Sequence, residues 1–231
     1  MGKENVCVVF DLDDTLYMER DYVRSGFDAV DTWCLERMGM RGIKTRAQSL
    51  FDQGRRGDIF DAVLTKQGFS HDPGKVAAMV QVYREHAPVI ELLPDAAECL
   101  KRLLGRVHMG LLTDGNSATQ WAKIDALSLR DCFDAIAVTG DWGAEFFKPH
   151  LRGYVYMEAR FQACCDRYVY VADNPAKDFS APHALGWNAV RVRRPGGFHE
   201  GRECPDEFGC FEVSSLESLP AVLSSLYRIA V

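Results

Sequence analysis

The sequence lacks an excess of positive charge, a long hydrophobic run and any internal repeat. Its 27 lysines and arginines are outnumbered by 33 aspartates and glutamates, which gives a net charge of −6. Because proteins that bind nucleic acid usually present a basic face, we expect no nucleic-acid partner. No segment approaches the roughly 20 apolar residues of a membrane span, so we expect no membrane partner either.

The amino-terminal segment lacks the features of a targeting signal. Residues 1–10 carry one lysine and a five-residue apolar run, which is too short for the hydrophobic region of a signal peptide. The eight cysteines are scattered among apolar neighbours and do not form a compact disulfide framework. We therefore expect reduced thiols and a cytoplasmic protein, while the oligomeric state is left open.

Strand-like and helical segments alternate along most of the chain. From residue 91 onwards the alternation is typical of a parallel sheet covered by helices, and residues 5–10 read as its buried first strand. Residues 18–90 show helical periodicity alone, with helices over 19–38, 45–53, 58–67 and 73–86. We predict an α/β protein whose Rossmann-like parallel sheet core, with helices on both faces, comprises residues 1–17 and 91–231. The inserted α-helical domain comprises residues 18–90.

Polar residues follow three of the predicted strands. They are Asp11 and Asp13, then Thr113, Asp114, Gly115 and Asn116, then Asp173 and Asn174. In parallel sheets of this kind, ligands bind at the carboxyl ends of the strands. Oxygen ligands suit Mg²⁺, which commonly takes one or two carboxylates together with substrate phosphate and water. Lys148 adds a positive charge for the same anion, so the sequence indicates a phosphoryl-transfer site.

Four motifs in this order resemble the haloacid dehalogenase superfamily. They are DLDDTL at 11–16, LLTDGN at 111–116, KP at 148–149 and ADNPAKD at 172–178. The resemblance covers nearly the whole chain, because the helical insertion lies where the C1 caps of that family lie. It implies a phosphatase for a small phosphate ester, similar to the nucleotidases and sugar-phosphate phosphatases of the superfamily.

The resemblance implies a chemical role for each motif residue. Asp11 would be the nucleophile that forms an aspartyl-phosphate, and Asp13 would be the general acid and base. Thr113 and Lys148 would act beside them in catalysis. The phosphate-binding residues would be Thr113, Asp114, Gly115 and Lys148.

The resemblance also implies a Mg²⁺ ion as the cofactor. Asp11, Asp173 and the backbone carbonyl of Asp13 would ligate it, and Asn174 and Asp178 would surround these ligands. A small-molecule phosphate ester would be the substrate.

Several alternatives stay open at this point. A phosphomutase or phosphotransferase would use the same residues, and a phospho-ligand-binding module without catalysis belongs to a different class. A dehalogenase is disfavoured, because true dehalogenases of the family lack an acid at the position of Asp13. We expect the neighbouring Asp14 to hydrogen-bond the turn rather than react.

The helical insertion carries several basic side chains that would attract a phosphorylated substrate. A solvated face is the ordinary role of such side chains, and the better candidates for substrate contact are Arg20, Tyr22, Arg55 and Arg56. No specificity motif is readable, so the natural substrate is not predicted beyond a sugar phosphate or nucleoside monophosphate.

Overall fold

A parallel β-sheet combines an amino-terminal strand with strands from the carboxyl-terminal part of the chain in this computed structural model, which describes residues 2–66 and 72–229. Within those residues the strands are β1 (Val6–Phe10), β2 (His108–Thr113), β3 (Ala135–Val138), β4 (Arg167–Ala172), β5 (Asn188–Val192) and β6 (Phe211–Val213). They pair in parallel in the order β3-β2-β1-β4-β5-β6. The predicted α/β class is confirmed.

The central strand β1 brings the site loops to one edge of the sheet. Its sequence, VCVVF, is fully buried, as β-branched and apolar residues in a strand covered on both sides should be. Phe10 at its end is in register with Leu111 of β2 and Val171 of β4. The polypeptide therefore leaves β1, β2 and β4 at the same edge, where the predicted polar residues follow.

The helices surround this sheet or belong to the insertion. They are α1 (Glu19–Met38), α2 (Ile43–Asp52), α3 (Ile59–Lys66), α4 (Pro73–Glu85), α5 (Pro94–Leu103), α6 (Ser117–Ala126), α7 (Arg152–Phe161), α8 (Ser180–Ala184) and α9 (Leu219–Tyr227). The predicted end of α3 at residue 67 lies outside the described residues. None of the helices in the described part of the chain has the length and apolarity needed to cross a membrane.

The chain divides into two compact units. One comprises Met1–Glu19 with Glu91–Val231 and contains the sheet, and the other comprises Arg20–Ile90. In the sheet unit, apolar side chains of α7, including Met157 and Phe161, pack with Val9 and Leu112. We call the second unit the helical unit.

The helical unit has an aromatic core of its own. The Phe27 ring lies with its centroid 6.1 Å from Phe51, 6.0 Å from Phe60 and 5.8 Å from Tyr83. Gly26 allows this approach, because a Cβ there would lie 2.4 Å from the Tyr83 ring.

Candidate active site

A buried lysine between two buried carboxylates forms the centre of the site. Lys148 Nζ lies 2.6 Å from Asp11 Oδ1 and 2.8 Å from Asp178 Oδ1, and it donates to the Tyr170 hydroxyl at 2.9 Å. Burial by itself would lower the pKa of Lys148, but the carboxylates of Asp11 and Asp178 outweigh it and hold the pKa well above its usual value. The lysine is therefore charged at neutral pH.

Asp11 lies directly beyond β1, where its backbone N–H donates to the Val171 carbonyl at 2.9 Å. Burial raises the pKa of its carboxyl to about 6, and the Lys148 ammonium opposes this rise. The lysine holds Oδ1, which leaves Oδ2 of Asp11 as the oxygen that can attack an electrophile.

A third buried carboxylate completes an acidic cluster. One carboxylate oxygen each from Asp11, Asp173 and Asp178 lies within 4.8 Å of the others. Burial, followed by the charges of Asp11 and Asp178, raises the pKa of Asp173 to about 9. Oxygen donors gathered this closely, with more negative charge than Lys148 offsets, fit a hard divalent cation such as Mg²⁺.

Asp178 also fixes the loop after β4. Its Oδ2 accepts a hydrogen bond from the Asn174 backbone N–H at 3.0 Å, and Asn174 Oδ1 accepts from the Ala176 N–H at 3.0 Å. These bonds hold the loop that carries Asp173, so Asn174 and Asp178 support the acidic cluster through the backbone.

Asp114 connects the turn after β2 to the segment that carries Lys148. Its Oδ1 accepts from the Lys148 backbone N–H at 3.0 Å and from the Thr139 hydroxyl at 2.8 Å. Its Oδ2 accepts from Lys177 Nζ at 3.1 Å. The side chain thus shapes the predicted phosphate-binding turn, and Lys177 adds a second cation that the sequence reasoning did not single out.

Asp13 is held by three side chains. The Tyr17 hydroxyl and Lys123 Nζ both donate to Oδ1, the latter at 2.6 Å, and Gln120 Nε2 donates to Oδ2 at 3.0 Å. Burial opposes ionisation of Asp13, but Lys123 and these hydrogen bonds prevail and lower its pKa. None of these three partners was predicted. An available signal was the spacing of Gln120 and Lys123, which places both on the face of α6 that also carries Ile124.

Thr113 and Gly115 lie where β2 turns into α6. Thr113 is fully buried, and its Oγ1 accepts a hydrogen bond from Gln120 at 2.6 Å. Gly115 has a φ of 134°, a conformation that favours glycine. Asn116 accepts from the Thr119 N–H and caps α6.

Asp14 shapes the loop after β1, as predicted. It is buried, with a φ of 50°, and its carboxylate accepts from the backbone N–H groups of Glu19 at 2.9 Å and Phe198 at 2.8 Å. These bonds support the loop that carries Asp11 and Asp13.

The four candidates in the helical unit have partners within that unit or lie at its start. The Tyr22 hydroxyl donates to the Tyr83 carbonyl at 3.2 Å, and Arg55 pairs with Asp58 at 2.7 Å. The Arg56 guanidinium lies 3.6 Å from the centroid of the Phe51 ring. Arg20 is in the first turn of α1. Their contact with substrate stays a prediction.

Comparison with known proteins agrees with the geometry. A family model described as haloacid dehalogenase-like hydrolase matches residues 6–186. The chain is 28% identical to glyceraldehyde 3-phosphate phosphatase of Methanocaldococcus jannaschii, over 96% of this chain and 98% of that protein. It is also 28% identical to the pyrimidine 5'-nucleotidase YjjG of Escherichia coli, over 54% of this chain and 57% of the nucleotidase.

A solved structure has the same fold. The magnesium-bound putative HAD-hydrolase YfnB of Bacillus subtilis superposes with a TM-score of 0.66 at 18% identity, over 96% of this chain and 99% of that one.

Proposed function

Because the chain belongs to the haloacid dehalogenase-like hydrolase family, we propose that it is a Mg²⁺-dependent phosphatase that forms an aspartyl-phosphate on Asp11. Its substrate is a small phosphate monoester, either a sugar phosphate or a nucleoside monophosphate. The observation that carries the proposal is the buried Lys148, which pairs with Asp11 and Asp178 beside the carboxylate of Asp173.

In the first step the phosphoryl group moves from the substrate to Asp11. Oδ2 of Asp11 attacks phosphorus while Lys148 holds Oδ1, so the attacking oxygen is fixed in position. The ester P–O bond breaks, and the leaving oxygen takes a proton from Asp13, whose ionisation the negative charge of the bound phosphate opposes. Thr113 and the backbone amides of the turn at Asp114 and Gly115 bind the phosphoryl oxygens, whose developing charge Lys148 offsets.

In the second step water releases the phosphate. The Asp13 carboxylate accepts a proton from water, which attacks phosphorus and breaks the bond to Asp11. Inorganic phosphate leaves, Asp11 is restored, and the proton that Asp13 takes from water balances the one that it gave to the leaving group.

The acidic cluster supplies the metal ligands. Asp11, Asp173 and the backbone carbonyl of Asp13 would hold Mg²⁺, and Asp178 orients the loop around them. When bound, the ion would offset the combined negative charge of the carboxylates and the phosphoryl group.

Substrate recognition is assigned to the helical unit in this proposal. Arg20, Tyr22, Arg55 and Arg56 are its candidate contacts for the leaving group. The names of the relatives support two substrate classes, since one is a sugar-phosphate phosphatase and the other a nucleotidase. The eight free cysteines support a reducing, cytoplasmic compartment.

The alternatives fit less well. Asp13 provides an acid for an alkoxide leaving group, which halide release does not need. A ligand-binding module has no use for a nucleophile paired with a lysine. A phosphomutase would share every residue of the site, so net phosphate release distinguishes a phosphatase from a phosphomutase.

The deciding experiment measures phosphate release from p-nitrophenyl phosphate, glyceraldehyde 3-phosphate and a set of sugar phosphates and pyrimidine nucleotides. Wild type is expected to release phosphate with Mg²⁺ and to lose activity in EDTA. Asp11→Asn is expected to lose at least about 10³-fold in kcat, since it removes the nucleophile. Lys101→Met, an exposed substitution on α5, is the matched control. Turnover in Asp11→Asn equal to wild type would overturn the proposal.

A further inference from the structure

The carboxylate of Asp13 is bound unevenly by its neighbours. Among the described residues, Oδ1 accepts hydrogen bonds from Tyr17 and Lys123, whereas Oδ2 accepts one, from Gln120. A carboxylate oxygen has two lone pairs directed at hydrogen-bond donors. Oδ1 is therefore saturated, and Oδ2 has a lone pair left for a proton.

Gln120 and Lys123 come from one face of α6. They are three residues apart, which places them on neighbouring turns of the same side of the helix. Both are almost fully buried, with 1% and 4% of their surfaces exposed. A buried ammonium is costly unless it is paired, and an apolar side chain could fill the space at lower cost. Pairing with Asp13 gives the lysine a reason to be there.

Gln120 joins Asp13 to the phosphate-binding turn. Its amide nitrogen donates to Asp13 Oδ2 at 3.0 Å and to Thr113 Oγ1 at 2.6 Å. Since the Thr113 oxygen accepts this bond, its own O–H is free to donate elsewhere. The glutamine thus leaves the threonine proton available for an anionic ligand.

The adjacent glycine makes room for this side chain. A Cβ on Gly115 would lie 3.2 Å from both Cγ and Cδ of Gln120, which is tighter than nine in ten real Cβ contacts. The turn that binds phosphate and the side chain that orients Thr113 are therefore packed against each other.

We propose that Gln120 and Lys123 are positioning residues for the phosphatase reaction. Lys123, with Tyr17, fixes Oδ1 of Asp13 so that Oδ2 is the oxygen that exchanges the proton with the leaving group and with water. Gln120 fixes the positions of the Thr113 hydroxyl and the Asp13 carboxylate relative to each other. This inference rests on the proposed function and names residues outside the four motifs.

The dependence of the rate on the leaving group distinguishes the loss of positioning at Asp13 from general disruption of the active site. An alkyl ester leaves as an alkoxide and needs the proton of Asp13, whereas p-nitrophenolate leaves without one. Because kcat/KM reports the steps up to the first irreversible one, it isolates transfer to Asp11 from later hydrolysis. The two probes are p-nitrophenyl phosphate and the best alkyl phosphate of the substrate panel.

For Lys123→Met we expect kcat/KM to fall about 100-fold or more on the alkyl ester, the scale of a general acid, and less than about fivefold on p-nitrophenyl phosphate. Lys123→Arg should restore part of the alkyl-ester rate, because it returns a donor and a positive charge. For Gln120→Leu we expect the inhibition constant of inorganic phosphate to rise about tenfold, the scale of a lost hydrogen bond to a charged ligand. Lys101→Met is the matched control.

Equal losses on both esters in Lys123→Met, or no loss on either, would overturn the inference. If Lys123→Met fails to fold, Gln120→Leu carries the test through its inhibition by inorganic phosphate, and an unchanged inhibition constant would overturn the inference. A wild type that hydrolyses neither ester would instead refute the proposed function, so the two failures are distinguishable.

Discussion

At the scale of single residues, charge balance dominates the site. Lys148 pairs with two carboxylates of a cluster of three, and one ammonium cannot neutralise all three. Lys177 brings a second positive charge, but its ammonium pairs with Asp114. The repulsion among these carboxylates acts most strongly on Asp173, whose pKa burial and its acidic neighbours raise to about 9. A divalent cation is the group that would relieve it.

The raised pKa of Asp173 predicts how stability depends on pH. A raised folded-state pKa means that the folded chain holds the proton more tightly than the unfolded chain. The contribution of Asp173 to the free energy of unfolding is therefore greatest below about pH 4, the ordinary value, and falls as the pH rises towards 9. Mg²⁺ competes with that proton, so its stabilising effect should grow with pH.

Thermal unfolding with and without Mg²⁺, at pH 5 and pH 8, measures this effect. At about 100 times the dissociation constant, the ion should stabilise by about 2.7 kcal/mol at pH 8, a rise of about 5–10 °C in Tm, and by clearly less at pH 5. Asp173→Asn should remove most of the shift at both pH values. Equal shifts at pH 5 and pH 8 in wild type would contradict the prediction.

At the scale of elements, two turns at the edge of the sheet support each other. Gly140, in the turn after β3, packs against the turn between β2 and α6. A Cβ at residue 140 would lie 2.0 Å from the Gly115 carbonyl oxygen and 2.9 Å from the Ser117 nitrogen. Because both are backbone atoms, neither can swing aside as a side chain would. The position of the proposed phosphate-binding turn thus depends on a residue outside the motifs.

Gly140→Ala should therefore displace the turn that carries Gly115. We expect a loss of about 1–3 kcal/mol in the free energy of unfolding, the usual cost of overpacking, together with weaker inhibition by inorganic phosphate. Urea unfolding and phosphate titration measure the two effects. Gly201→Ala, where a Cβ meets nothing within 4 Å, is the control and should stay near wild type. An unchanged phosphate affinity in Gly140→Ala would show that the turn tolerates the shift.

At the scale of the whole molecule, the two units have separate cores and different chemistry. The sheet unit contains the acidic cluster and Lys148, whereas the helical unit is built around the rings of Phe27, Phe60 and Tyr83. This division predicts that substitutions in the helical unit alter the preference among substrates more than the rate of the phosphoryl-transfer step.

Alanine at Arg20 or Arg55 tests this division of roles. We expect kcat/KM for the best natural-type substrate to fall about tenfold, the loss of one ionic contact, while that for p-nitrophenyl phosphate stays within about twofold. Lys75→Ala, which removes another exposed cation of the helical unit, is the control. A parallel loss on both substrates would assign these arginines to the common chemistry or to stability.

Much of the fold was predictable because it depends on local pattern. The buried strand VCVVF and the alternation after residue 91 predicted the parallel sheet, and four helices were predicted in the insertion. The short strand β6 was missed, since three mostly exposed residues carry too little periodicity to be recognised. The helix ends differ from the predicted ones by a few residues, because helix termini fray and their exact bounds are difficult to assign.

The sequence alone determined the chemical groups and the edge of the sheet where they gather. Asp11 and Asp173 each follow a strand and Thr113 ends one, and neighbouring parallel strands end at the same edge of the sheet. Only the tertiary structure determined which residues from other parts of the chain join these groups at that edge. Lys123 reaches Asp13 because packing on the sheet sets the rotation of α6 about its axis, and no local pattern along the chain specifies that angle.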